Sequence, residues 1–426
     1  MFYHSKLARI VLATFGSYGD LHPYLAVAIG LRDAGHNVTL ATSEFYRNKI
    51  EGEGIAFAPI SPDIGMWELD PEARRKAMDL RRGTEYVVRE LFVPHVERCY
   101  QELLAICAGA DVIVGHTLVF SVPFVAEKLS IPWLAAVLQP SSIFSTLDPP
   151  IFPAFPELGH ALRPFAPYAH RLLLPFARWL SNRWISPVHE LRKRLGVRNA
   201  PQNPMVEPFS PHGNLVWFSR VLAAPQDDWP PHTMQAGFPF YDKDTPDASA
   251  LDPLLDRFLL AGDPPVVFTL GTSAALDPGT FFDETWGALQ EMNIRAVLVS
   301  PQAETLPSNE RVLCLRYAPY SKLFPRALVN VHQGGIGTTA QALQSGRPML
   351  VVPYSHDQPD NAARVERLGV ARVLPRRRYR KNAIMKTLRE LIGDKNAAAK
   401  AAAAGAAVRR EDAIAASCKF IEAALP

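Results

Sequence analysis

Cysteine is scarce. The four in 426 residues (Cys99, Cys107, Cys314 and Cys418) never fall in CxxC spacing, which excludes a disulfide framework and a cysteine zinc site and fits a reducing compartment. Charge imbalance is scarce too. Against 45 basic residues stand 42 acidic ones, a net +3, so nothing in the electrostatics asks for nucleic acid or an acidic polymer as partner. No uncharged apolar run reaches the roughly 18 residues that a membrane span needs. The apolar segment at 6–15 is short, lacks a small-residue cleavage site and reads as a first strand, not a secretion signal. A cytoplasmic chain is therefore expected. Also missing is a G-x-G-x-x-G after that strand with an acidic residue at the usual distance, which disfavours an NAD-dependent oxidoreductase.

What is present is enough apolar material for large cores: 48% of the chain is hydrophobic, and this length suits two or three domains. Short apolar runs at 10–14, 36–42, 55–60, 111–115, 133–138 and 215–218 alternate with segments long enough for helices. A second series follows at 266–270, 296–300, 312–315, 328–331, 349–352 and 371–374. This alternation predicts two α/β halves, each a doubly wound parallel sheet. We expect an N-terminal domain over 1–219, a Pro- and Asp-rich linker over 220–265, a second domain over 266–405 and a helical tail over 406–426 that packs back toward the first domain. Between 140 and 211 the sequence becomes proline-interrupted, aromatic and arginine-bearing. That region reads as an apolar acceptor pocket, as a membrane-facing surface, or as helices packed on the sheet with arginines reaching outward.

The densest chemistry lies in 331–361, VHQGGIGTTAQALQSGRPMLVVPYSHDQPDN. A strand ends at His332, turns through Gly334, Gly335 and Gly337, and enters a helix near Thr338. Glycines admit a close anion, the first helical turn has unpaired N–H groups, and its dipole favours negative charge. Thr338 and Thr339 add hydroxyls, and His332 is expected at the mouth of this cradle. A second strand then delivers His356, Asp357 and Gln358 to the same edge. In the first half, Asp20 of GSYGDLHP lies in the loop after the first strand, where it suits either a general base or the N-cap of a helix starting near Pro23. His116, after the fourth strand, is read as an acceptor-side group or as a hydrogen-bonded structural histidine. Asp242-Lys243-Asp244, the one Asp-x-Asp considered for metal, sits among turn residues and reads as a solvated turn.

Histidine, a glycine pair, Gly-Thr, a helix, Gly-Arg-Pro, an apolar strand and Asp-Gln together resemble the donor-sugar signature of the nucleotide-sugar glycosyltransferases with the GT-B fold, the UDP/dTDP-glycosyltransferase family. GSYGDLHP resembles the G-x-x-G-D-x-x-P loop of bacterial members, and the linker resembles that of rhamnosyltransferases of glycolipid synthesis and of sterol glucosyltransferases. The resemblance implies donor contacts from Thr272 and Ser273, nucleobase contacts from Tyr317 and Ala318 where relatives often carry tryptophan, phosphate contacts from His332, Gly334, Gly335, Gly337 and Thr338, and sugar contacts from Asp357 and Gln358. It implies Asp20 as catalytic base and no metal or other cofactor, the nucleotide-sugar being a co-substrate. The expected activity is an inverting transfer of a hexose, glucose- or rhamnose-type, from a UDP- or dTDP-sugar to a hydroxyl of an apolar or lipid-like acceptor, with peripheral membrane contact allowed. An epimerase of the same fold and a catalytically silent partner of another transferase are the alternatives.

Overall fold

The computed structural model describes residues 7–65, 70–241, 252–272 and 274–426. Asp242-Lys243-Asp244 and Ser273 lie outside the described residues. Within them, thirteen strands form two wholly parallel sheets. The first sheet holds β1 (Arg9–Ala13), β2 (Asn37–Thr42), β3 (Ala56–Pro59), β4 (Val112–His116), β5 (Trp133–Val137), β6 (Asn214–Val216) and β7 (Thr233–Gln235), in the order β3-β2-β1-β4-β5-β6-β7. The second holds β8 (Val266–Thr269), β9 (Ala296–Val299), β10 (Val312–Leu315), β11 (Val329–His332), β12 (Met349–Val351) and β13 (Ala371–Val373), in the order β10-β9-β8-β11-β12-β13.

Parallel strands covered on both faces are buried without alternation, as β4, β5, β8 and β9 are along their whole length, whereas the edge strands β3 and β7 are partly exposed. In β1, Ile10 and Leu12 face a core shared with the first helix, while Val11 and Ala13 face a second core on the other side. Five helices matter below: α1 (Tyr18–Asp33), α2 (Tyr168–Trp184), α3 (Ile336–Ser345), α4 (Gln358–Arg367) and α5 (Ala413–Glu422). The last of these crosses back to the first half. It packs on α1 so tightly that a Cβ on Gly30 would meet Ile414 at 2.7 Å and Cys418 at 2.9 Å, and Trp217 Nε1 donates to Ser417 Oγ at 2.9 Å.

Two expectations change. The stretch 220–265 is not all linker, because β7 falls inside it and pairs with β6 as the edge of the first sheet. Helix α1 begins at Tyr18, not near Pro23, and its N-cap is Ser17.

Each sheet reverses its strand order once, between β1 and β4 in the first and between β8 and β11 in the second. At such a point the loops leaving the two strands diverge to opposite faces and open a crevice at the carboxyl ends. Asp20 follows β1 and His116 is the last residue of β4; Thr272 and the glycine turn follow β8 and β11.

Candidate active site

The two crevices meet. A Cβ on Gly337, in the first turn of α3, would stand 3.3 Å from the Gly19 Cα in the first turn of α1, so the N-termini of two helices, one from each half, touch backbone to backbone. Two cavities open on either side of this contact and share Gly19, Thr272, Ile336, Gly337 and Thr338 in their walls. The larger, about 440 Å³, takes Asp20 from the first half and His356, Asp357 and Gln358 from the second, with apolar walls that include Leu91, Phe92, Phe144, Ile151, Phe152 and Met205. The smaller, about 280 Å³, is walled by Gly271, Thr272, Tyr317 and Ala318 of the second half and by His22 and Phe240 of the first.

Residues 10–145 match the glycosyltransferase family 28 N-terminal domain, and residues 291–419 match the erythromycin biosynthesis protein CIII-like C-terminal domain. O-mycaminosyltylonolide 6-deoxyallosyltransferase of Streptomyces fradiae is 32% identical over 97% of this chain and 97% of its own. The chain belongs to the glycosyltransferase family. A sterol 3-beta-glucosyltransferase of Yarrowia lipolytica is 26% identical over 95% of this chain, which spans 28% of that longer protein. Among solved structures, the spinosyn rhamnosyltransferase complexed with thymidine diphosphate shares the fold, with a TM-score of 0.67 at 16% identity over 98% of this chain and all of that one. The two doubly wound halves of this glycosyltransferase are thus the GT-B architecture.

Asp20 is the third residue of α1 and closes a capping box with Ser17. Its Oδ2 accepts from the Ser17 N–H at 2.8 Å and from Ser17 Oγ at 3.3 Å. The carboxylate folds against Gly16, where an added Cβ would stand 2.2 Å from Oδ2; with a φ of +118° this position takes glycine on both counts. Burial pushes the Asp20 pKa up to about 6, the Ser17 bonds opposing it without cancelling it. Asp20 Oδ1 lies 3.8 Å from His116 Nε2.

His116 does not wall the large cavity. It is buried at the end of β4 behind Asp20, its Nδ1 accepts from the Leu118 N–H at 3.1 Å, and the ring proton therefore sits on Nε2, toward the carboxylate. Burial lowers its pKa to about 3. It is neutral at physiological pH, and at 3.8 Å it acts on Asp20 as an oriented N–H dipole, beyond hydrogen-bond reach.

His332 is not at the mouth of the glycine turn either. Its ring is wholly buried, Nδ1 accepts from the Gly334 N–H at 3.1 Å, and Nε2 has no hydrogen-bond partner. Burial again takes the pKa to about 3. Gly334, with φ at +91°, is a packing glycine whose Cβ would strike Val351 at 2.9 Å, whereas Gly335, Gly337 and Thr338 line the large cavity.

Asp357 has a second task that the sequence does not announce. Its Oδ2 accepts from the Ile336 N–H at 3.0 Å and from Asn361 Nδ2 at 2.6 Å, so it occupies the first N–H of α3. The helical ladder starts only at Thr339, whose N–H reaches the Gly335 carbonyl, and this leaves the Gly337 and Thr338 N–H groups for an anion. Burial and the charge of Asp20 raise the Asp357 pKa to about 7. Gln358 Oε1 holds the Tyr354 and Ser355 N–H groups at 2.8 and 3.2 Å, so its amide Nε2 is the part left to face a ligand.

Three further features, the last two of them contacts between the halves, have no signal in the sequence. Gln333 lines the large cavity with a buried Oε1 that has no partner. His356, with φ at +56°, brings Nδ1 within 3.2 Å of Thr84 Oγ1 across the domain boundary; burial lowers its pKa to about 4. Asp148 and Asp360 clamp the buried Arg364 on α4, with Arg364 Nε to Asp360 Oδ2 at 2.8 Å and an ion pair to Asp148, while the Ile151 N–H donates to Asp360 Oδ1 at 3.0 Å. The loop that carries Ile151 and Phe152 into the cavity is thereby tied to the helix that carries Gln358. Only its partner's place in the chain, about two hundred residues away, hides this clamp from sequence reading. Among the described residues, no group of three or more His, Cys, Asp or Glu is placed to hold a metal ion, and no helix is long and apolar enough to cross a membrane.

Proposed function

We propose that the protein transfers a hexose of glucose or rhamnose type from a UDP- or dTDP-sugar to a hydroxyl of an apolar acceptor, with inversion and without a metal. The observation that carries this reading is the single cavity that Asp20 enters from one half and Asp357 and Gln358 from the other, with apolar walls around them. The nucleobase would occupy the smaller cavity against Tyr317 and Ala318, and the diphosphate would lie at the shared wall, on the Gly337 and Thr338 N–H groups and the Thr272 and Thr338 hydroxyls. Beneath that turn, His332 Nε2–H and the Thr339 hydroxyl are buried donors without a hydrogen-bond partner.

The acceptor hydroxyl attacks the anomeric carbon as the bond to the diphosphate breaks, and its proton passes to Asp20. A carboxylate raised to about 6 is mostly ionised at pH 7 and more basic than an exposed aspartate, while His116 holds its N–H toward the ionised form. Charge that grows on the leaving diphosphate meets the N-terminal dipole of α3 and fixed hydroxyls, the service a divalent cation performs elsewhere. The relative that acts on O-mycaminosyltylonolide and the one that acts on sterols support an apolar acceptor, as does the thymidine diphosphate complex a pyrimidine nucleotide.

The test is transfer from a panel of α-linked UDP- and dTDP-hexoses to polyketide and sterol alcohols in the presence of EDTA, with the product's anomeric coupling constant read by NMR. A β-linked product at undiminished rate is expected. A retained anomer, or a rate abolished by EDTA and restored by a divalent ion, would overturn the mechanism; conversion of the donor sugar without any acceptor would favour an epimerase.

A further inference from the structure

A helix on a protein surface ordinarily turns its apolar stripe inward. Helix α2 carries a second one outward. Its buried residues are His170 and Ser181, while Tyr168, Leu172, Phe176 and Trp179, which follow one another at helical spacing on one stripe, are 76, 80, 57 and 54% exposed. Just upstream, Phe155, Leu158 and Phe165 are exposed as well. Of the fifteen exposed large apolar side chains among the described residues, seven fall within 155–179, which makes this one patch and not the usual scatter.

The charge on α2 has one sign, and the apolar segment before it holds one acidic residue, Glu157, which is paired with Arg377. Residues 158–189 contain Arg163, Arg171, Arg178 and Arg183 and neither Asp nor Glu. Arg163 and Arg178 are engaged with Asp148 and Glu207, and Arg183 lies over the Trp179 ring, 5.2 Å from its centroid. Outward leucine and aromatics flanked by arginine are the composition of a helix that lies in a bilayer interface, with aromatic rings at headgroup level and guanidinium groups on lipid phosphates. A second copy of the chain would set two arginine-bearing faces against each other, and like charges oppose that.

We propose that α2 and the preceding apolar segment dock this enzyme on an anionic lipid surface. The same stretch leads into the active site, since Ile151 and Phe152 wall the large cavity shortly before Phe155 emerges. A docked enzyme would draw a lipid-soluble acceptor from the membrane side. Docking itself does not depend on the acceptor or on the proposed chemistry.

Flotation of the full chain with phosphatidylcholine vesicles, with and without about 30 mol% phosphatidylglycerol, tests this. The wild type is expected to float with the anionic vesicles and weakly or not at all with the neutral ones. The triple variant Leu172→Gln, Phe176→Gln, Trp179→Gln should lose binding by about tenfold or more, and Arg171→Gln with Arg183→Gln should lose about fivefold for each arginine on anionic vesicles only. Both should keep the wild-type melting temperature and turnover on a water-soluble acceptor. Failure of the wild type to float with either vesicle would overturn the proposal, as would triple-variant binding equal to wild type. A wild-type dimer in solution that the triple variant dissolves would also overturn it and give the face to a second copy. A photo-crosslinker at position 179 that captures protein and no lipid from anionic vesicles mixed with cell extract would do the same. Flotation needs no turnover, so an inactive preparation that still floats counts against the transferase chemistry alone.

Discussion

His116 and His332 occupy the same station in the two halves, and they differ only in what they face. Each closes the strand beside a reversal of strand order, β4 next to β1 and β11 next to β8. Each Nδ1 accepts from the backbone N–H two residues on, at 3.1 Å, and each ring is held neutral by burial, with a pKa lowered to about 3. Identical local chemistry thus gives two fixed N–H dipoles. In the first half a carboxylate stands before the dipole, 3.8 Å away; in the second the corresponding place holds no protein partner. One architecture thus sets its fixed dipole before a carboxylate in one half and leaves it without a hydrogen-bond partner in the other.

The comparison breaks most severely at the carboxylate. Asp20→Asn should reduce turnover by about 10²–10⁴-fold while nucleoside diphosphate affinity, measured by calorimetry, stays within a few-fold. The wild-type kcat/KM should fall tenfold per unit below about pH 6 as Asp20 takes up its proton. Stability should move the opposite way. A carboxyl whose folded pKa is raised contributes stability that is present below its unfolded value and lost as pH rises through the folded one, so Asn at position 20 should melt a few degrees higher than wild type at pH 8, with the gain gone by about pH 4.

Removing the two histidines separates the halves. His332→Ala leaves the buried Gly334 N–H without its acceptor and should weaken diphosphate binding by about tenfold through the glycine turn it fixes, with free nucleoside unaffected. His116→Ala should leave both affinities alone and slow turnover by about tenfold, and the acid limb of its pH profile should move to higher pH, because the ionised Asp20 loses an N–H facing it. Interchanged phenotypes would dissolve the comparison. Gln358→Glu is a finer probe: a carboxylate can still hold the Tyr354 and Ser355 N–H groups but offers no donor, so transfer should drop by about tenfold while bare diphosphate binds as before. The smallest effect is expected from Gly337→Ala, whose methyl would press the Gly19 Cα at 3.3 Å and force the halves apart by a few tenths of an ångström. A loss in kcat of a few-fold at unchanged diphosphate affinity would register it.

The doubly wound halves could be read from sequence because strands buried on both faces are continuous apolar runs, and these are local signals. Strand β7 escaped because it is three residues long, within a proline-rich stretch, and exists only by pairing with β6. Motif position placed Asp20, Thr272, Gly337 and Gln358 on cavity walls. Side-chain direction was another matter. That His332 turns back into its own loop, that His116 stands behind Asp20 and that Asp357 caps α3 are consequences of packing across the sheet edge, with no spacing in the sequence to encode them. The Asp148–Arg364–Asp360 clamp is the extreme case: an aspartate in a proline-flanked loop and an arginine on a helix become a buried ion pair only when the two halves close. Removing one member of such a pair strands the other and costs about 3–5 kcal/mol.

The passage of α5 across the molecule determines where this protein can be cut and rejoined. Shuffling of donor specificities between relatives suggests a single crossover in the segment between the sheets, with everything downstream taken from the new parent. Such a hybrid would carry a foreign last helix to the native α1, where Gly30 leaves no space for bulkier side chains than Ile414 and Cys418 and Trp217 requires the hydroxyl of Ser417. A graft with two crossovers, the second just before Ala413, keeps that seam native and confines the exchange to the second half.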